Sequence, residues 1–239
     1  KPGVRFTNRI RCGNYTQIFT AAVEVSGTDM AASQLGLADE MDYQKQERLR
    51  ELLRDLENTT INGGQPSANP QGNSSIRRSM KGIIQHLSTN VFHTGDSGFP
   101  TGTDLDETMI NYVLRSVWEN SNGNVDLIIV GGFQKRRINA FCADSRSYAA
   151  NDTTFTNLVS IYESDFGVCR IVTTRWMPKD SVLLLDSSRV KVLPLAGRSF
   201  HFKPLSSSGD YECGELIGEY TLELKNEAAH GLIRGLSTS

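Results

Sequence analysis

The side chains able to do covalent or acid–base chemistry are sparse and scattered in this 239-residue chain. Its four histidines, His86, His93, His201 and His230, form neither H-E-x-x-H nor any paired metal-ligand spacing. Cys12, Cys142, Cys169 and Cys213 include no C-x-x-C pair, which argues against a structural zinc site and fits buried thiols better than a disulfide framework. No G-x-S-x-G elbow is present. Asp165-Phe166-Gly167 matches a kinase tripeptide, but no glycine-rich phosphate loop or His-Arg-Asp accompanies it, so it reads as a turn. Gly131-Gly132 and Gly63-Gly64 lack the remaining residues of a dinucleotide or phosphate loop. Cys142 or Cys169 with a distant histidine is the one nucleophile arrangement left, and it has no local signature. No catalytic, cofactor-binding or metal site is therefore expected.

The elements around these residues are more informative. Residues 39–60, DEMDYQKQERLRELLRDLENTT, have the period of one long amphipathic helix. Met41, Leu49, Leu52, Leu53 and Leu56 form its apolar stripe, and Gly63-Gly64 stops it. About 22 residues at 1.5 Å each make a rod of about 33 Å, long enough to serve as a spine.

Before it, residues 5–28 are rich in strand formers, with Cys12-Gly13-Asn14 placed to turn the chain. The expectation is a two-stranded arm lying on another surface, because an isolated hairpin is marginal in water. After the spine come a Gly/Pro/Asn loop at 63–75, a helix at 76–90, an irregular connector and a helix at 105–120 capped by Thr103 or Asp104. The second helix carries Met109, Ile110, Val113, Leu114 and Val117 on one face. A buried strand at 125–130, a helix at 133–143, a hairpin at 160–176 and strands at 182–186 and 190–195 follow. Residues 216–226 alternate, with Tyr220, Leu222 and Leu224 facing inward and Glu219, Thr221, Glu223 and Lys225 facing water. The fold class is α+β with two groups of strands.

Net charge is −2 and the pI near 6.1, without the basic surplus of a dedicated DNA-binding domain. No stretch approaches the ~18 consecutive apolar residues of a membrane span, and no membrane partner is expected.

A series of short segments carries a resemblance over nearly the whole chain. They are Asn14-Tyr15-Thr16-Gln17-Ile18-Phe19, Val23-Glu24-Val25-Ser26-Gly27-Thr28 and Ala38-Asp39-Glu40. Then come Gln134-Lys135-Arg136, Tyr162 to Gly167, Arg175-Trp176-Met177-Pro178, Gly218 to Glu223 and Asn226 to Gly231. In this order they resemble a branch of tailed-bacteriophage major head (major capsid) proteins.

The resemblance implies the Hong Kong 97-type phage capsid fold, with an extended hairpin loop, a long spine helix, and peripheral and axial domains. By that likeness residues 1–30 are a residual N-terminal arm and extended loop. Residues 31–102 and 207–239 are the peripheral domain, and residues 103–206 the axial domain. Tyr15, Ile18, Phe19, Val23 and Val25 would contact a neighbouring subunit.

It further implies copies assembled in hexamers and pentamers into an icosahedral shell, built in the host cytoplasm and enclosing double-stranded DNA held without sequence preference. Portal, scaffolding or cement proteins would be further partners. Some shells of this fold join neighbours by a lysine–asparagine bond starting from the extended loop. No lysine occurs between Lys1 and Lys45, so the assembly expected here is noncovalent. Two rivals remain open: an encapsulin-like nanocompartment shell, and a soluble enzyme with a distributed site.

Overall fold

The computed structural model describes residues 11–32, 39–144 and 161–238. Strand β1 (Gln17–Ser26) leads through the one-turn helix α1 (Gly27–Ala31) toward the long helix α2 (Glu40–Asn62). Next are the single turn α3 (Ile83–His86), β2 (Val91–His93), α4 (Glu107–Asn120), β3 (Leu127–Val130) and α5 (Gly132–Asp144). The remainder is mostly strand: β4 (Ile161–Ser164), β5 (Gly167–Thr173), β6 (Val182–Leu185), β7 (Val190–Pro194), β8 (His201–Leu205), β9 (Tyr211–Leu224) and β10 (Gly231–Arg234).

The strands make two sheets. In the first, β1 runs antiparallel to β9 from Gln17 opposite Tyr220 to Ser26 opposite Tyr211, while β7 and β8 share the other edge of β9. The second has the order β2-β10-β6-β3-β5-β4.

Its central strand β6 is buried at all four positions. Side chains alternate across a strand, so Val182 and Leu184 join the core under α4 while Leu183 and Leu185 join the core under α2. Packing on both faces explains why the sequence there is continuously apolar rather than alternating.

The spine forms where its stripe and caps require. Asp39 is the N-cap, its carboxylate accepting from the Met41 and Asp42 backbone N–H groups at 2.8 and 3.3 Å. The N–H of Gly63 closes the last turn on the Thr59 carbonyl at 2.8 Å. Met41 and Leu52 are buried, Leu49 and Leu56 pack partly against the same core, and Ile61 completes the stripe.

Leu53 does not belong to that stripe. It is 49% exposed, because one residue past Leu52 is a rotation of about 100° around the helix. The stripe of α4 is buried at all five expected positions, although its cap is Asp106 rather than Thr103 or Asp104.

Two other expectations change. Residues 17–26 form a single strand on β9 rather than part of a two-stranded arm, and residues 11–16 carry no strand; the rest of the expected hairpin lies outside the described residues. The helix expected at 76–90 shrinks to α3. Side chains from the start of the chain capture its backbone instead, Gln17 Oε1 accepting from Met80 N–H at 3.1 Å and Asn14 Oδ1 from Lys81 N–H at 2.8 Å. The two sheets draw strands from separate stretches of the chain. Strands β7 and β8 pair with β9 in the first sheet, and β10 sits inside the second.

Candidate assembly surfaces

The five residues expected at a subunit contact separate into two kinds. Phe19, Val23 and Val25 are buried in their own chain, on the face of β1 turned toward α2. Phe19 meets Phe200 and Tyr220 edge-on at 6.4 and 6.5 Å. Within one chain this segment rests on β9 and α2. Tyr15 and Ile18 remain outside, at 39% and 47% exposure. Ile18 belongs to the opposite face of β1 by strand alternation.

The start of β1 is fastened by polar groups. Asn14 Nδ2 donates to the Lys81 and Leu222 carbonyls at 2.9 and 3.0 Å. Thr16 Oγ1 donates to Glu219 at 2.5 Å. Glu219, placed on the wet face by alternation, is instead 4% exposed. Arg78 Nη2 lies 2.5 Å from one carboxylate oxygen and Arg198 Nε 2.8 Å from the other. Two arginines from different segments therefore enclose it, one on each side of β9. Next to them, Ile18, Thr20, Gln71, Gly72, Asn73, Ile76, Arg77 and Arg78 line an open groove of about 510 Å³.

A second surface lies at the end of the six-stranded sheet. The β4–β5 hairpin turns at Asp165-Phe166, with Ser164 opposite Gly167. Gly167 holds a φ of +140°, which favours glycine. Tyr162, Cys169 and Ile171 point into the α4 core. The residues between them, Ile161, Glu163, Val168, Arg170 and Val172, face solvent. Trp118, from the last turn of α4, is 64% exposed beside Phe166. Sequence reading passed over Trp118. The available signal was its place one step off the buried Val117 and between Arg115 and Glu119, an aromatic on a charged face.

Cys169, Tyr162 and His230 belong to the cores, whereas His93 and His201 are exposed. Burial pushes the Cys169 thiol up to about 11, keeping it protonated, and its Sγ–H donates to the Val125 carbonyl at 3.3 Å. Burial likewise raises the Tyr162 hydroxyl, which donates to Asn111 Oδ1 at 3.1 Å. Among the described residues no group of three or more His, Cys, Asp and Glu is placed to share a metal ion. No helix there is long and apolar enough to cross a membrane.

His230 is fully buried. Its Nδ1 accepts from the Asp186 N–H at 3.2 Å. Burial lowers its pKa below 6.5; the Asp186 carboxylate, a hydrogen bond to the Lys225 backbone and the Glu227 carboxylate oppose that, and Arg189 reinforces it. His86 is lowered too, by burial and then by Lys81. Below pH 6.5 the unfolded chain takes up protons that these folded imidazoles refuse. Their stabilisation is therefore present above pH 6.5 and is lost as pH falls through the folded values. Thermal melts should show Tm falling as pH drops below about 6.5, and His230→Gln should flatten that slope. An unchanged Tm down to about pH 5 would contradict it.

Comparison with known proteins follows the fold. The chain is similar to a capsid chain of cyanophage A-1(L), with a TM-score of 0.67 at 11% identity over 93% of this chain and 78% of that one. A chain of the holo-SrpI encapsulin complex from Synechococcus elongatus gives 0.62 at 12% identity, over 94% and 75%. The satellite phage P4 procapsid gives 0.59 at 12%, over 100% and 77%. At such identities the likeness is one of fold, the Hong Kong 97-type capsid fold. No curated protein matches by sequence. The sequence model of the SU10 major capsid proteins matches residues 1–237, and the chain belongs to that family: it is a shell-forming capsid protein.

Proposed function

We propose that copies of this chain form the icosahedral head of a tailed bacteriophage, arranged in pentamers and hexamers around packaged double-stranded DNA. The family match across residues 1–237 carries this reading. The role is structural rather than catalytic, and assembly takes place in the host cytoplasm. Residues 31–102 and 207–239 act as the peripheral domain and 103–206 as the axial domain, with β7 and β8 reaching back to the peripheral sheet. Tyr15 and Ile18 are contact residues left open at the start of β1.

Assembly is a matter of repeated geometry. Each subunit is held by several neighbours, so many weak copies of one contact sum to a stable shell. Contacts that join unlike surfaces close into rings where the rotation between neighbours closes. DNA, portal and cement proteins are partners in this reading. A scaffolding or size-setting partner is another, since the P4 procapsid structure includes a size determination protein.

A nanocompartment is the second reading, because the encapsulin chain is nearly as similar in fold as the cyanophage capsid chain. Negative-stain microscopy of the expressed protein, with nuclease treatment of particles from infected cells, separates the two. Heads retaining nuclease-resistant DNA support the phage reading, and DNA-free shells holding a host enzyme overturn it.

Boiled particles should run on SDS gels as a single band at the mass of one subunit, since no lysine lies between Lys1 and Lys45 to start a covalent join. Ladders of higher bands would contradict noncovalent assembly.

A further inference from the structure

The most exposed of the large apolar side chains lie near one hairpin. The three most exposed in the described residues are Trp118 at 64%, Ile161 at 59% and Val168 at 57%. Ile161 lies on β4 and Val168 on β5, and Trp118 stands 6.0 Å, centroid to centroid, from Phe166 in the turn between them. Tyr162 and Cys169 point toward α4. Ile161 and Val168 therefore face away from it, while Trp118 and Phe166 lie on the α4 side. The result is a ridge, apolar on both flanks, at the terminal strand of the six-stranded sheet. Asp165 and Glu163 are exposed at its tip and flank, without an ion pair among the described residues. An aromatic centre with a charged rim is the make-up of a protein interface.

The groove between β1 and residues 71–78 has the complementary character. Ile18 and Ile76 supply apolar wall. Arg77 is exposed and has no ion pair among the described residues, whereas Arg78 is held by Glu219. Within one chain, ridge and groove belong to different sheets.

We propose that the β4–β5 hairpin and Trp118 of one copy seat in the Ile18–Ile76 groove of the next, with Asp165 opposite Arg77. The contact rests on the shell reading above. It joins unlike surfaces, so repetition builds a ring where the rotation closes, rather than a two-fold pair.

The test uses the full chain, with particle yield read by sedimentation and negative-stain microscopy, and folding checked by thermal melts. Trp118→Ala, Asp165→Arg and Arg77→Asp should each cut particle yield at least about tenfold while leaving Tm within about 2 °C, as exposed positions allow. Combining Asp165→Arg with Arg77→Asp should return yield to within about threefold of the unaltered chain, as a direct charge pair requires. Asp165→Cys with Arg77→Cys should give disulfide-linked copies in oxidised particles, and this readout survives if a charge variant precipitates. Single variants that assemble normally overturn the contact. A double reversal as defective as the singles, with no disulfide link, overturns the pairing of Asp165 with Arg77. An unaltered chain that makes no particles overturns the shell reading, a different result from either.

Discussion

Glu219→Ala is expected to destabilise the isolated subunit by about 3 kcal/mol, lowering its Tm by about 6–12 °C. Glu219 is 4% exposed in the middle of β9, and its two oxygens serve three partners. Thr16 belongs to the segment before β1, Arg78 to the stretch before α3, and Arg198 to the β7–β8 connection. The carboxylate therefore ties three stretches of chain to one strand. Its loss leaves two guanidinium groups facing each other over a cavity.

Those side chains retain 35% and 42% exposure, so water recovers part of the cost; the expected loss sits at the lower end of the ~3–5 kcal/mol usual for a broken buried pair. For the same reason Arg78→Ala and Arg198→Ala should each cost only about 1 kcal/mol. Glu219→Gln keeps the volume and an acceptor for Thr16, so it should fall between. Urea melts of the unassembled subunit provide the measurement. A loss below about 1 kcal/mol for Glu219→Ala would mean that the two arginines are as well hydrated without it.

Glu219 also marks the limit of pattern reading. Alternation along β9 places it beside Thr221 and Glu223, and on period alone it belongs to water. What buries it is Arg78, 141 residues away, which no local period encodes. Elements whose own residue pattern decides their form were legible, however distant their partners. The α4 stripe, the β4–β5 turn at Asp165-Phe166 and the run Val182 to Leu185 follow from period, turn chemistry and two-sided burial.

Elements decided by distant contacts were not. The apolar residues Met80, Ile83 and Leu87 are buried as their spacing suggests, yet only one turn of helix forms, because Asn14 and Gln17 take the backbone N–H groups of Lys81 and Met80. Strand β8 went unread because Pro204 and its polar neighbours describe an edge, and only the pairing with β9 defines it. Of the candidate assembly surfaces, the exposure of Ile18 was within reach of alternation. The clustering of Trp118 with Ile161 and Val168 was not, since it depends on α4 packing beside a hairpin more than 40 residues later.

The second large effect is expected at Gly82. A Cβ added there would lie 2.4 Å from the Gly63 nitrogen and 2.9 Å from the carbonyl oxygens of both Ile61 and Thr59. All three are backbone atoms in the last turn of the spine and its cap, so no side-chain rotation relieves the clash. Nor can the two segments simply separate, because the Gly82 N–H donates to the Gly63 carbonyl at 2.8 Å while the Gly63 N–H closes the helix on Thr59.

Gly82→Ala should therefore cost about 3 kcal/mol, at the top of the usual range for overpacking. Gly64→Ala is the matched control: a Cβ there meets nothing within 4 Å, so the change should be neutral or stabilise by up to about 1 kcal/mol through the unfolded chain. Equal melts for the two variants would show that the spine end has slack. Unequal melts, with Gly82→Ala also lowering particle yield, would tie shell formation to the fit between the rod and the segment that leaves it. That segment runs on through α3 and β2 into the six-stranded sheet, so a displaced Gly82 shifts both sheets against each other. A shell subunit presenting several surfaces at once depends on that relative placement, whichever surfaces they are.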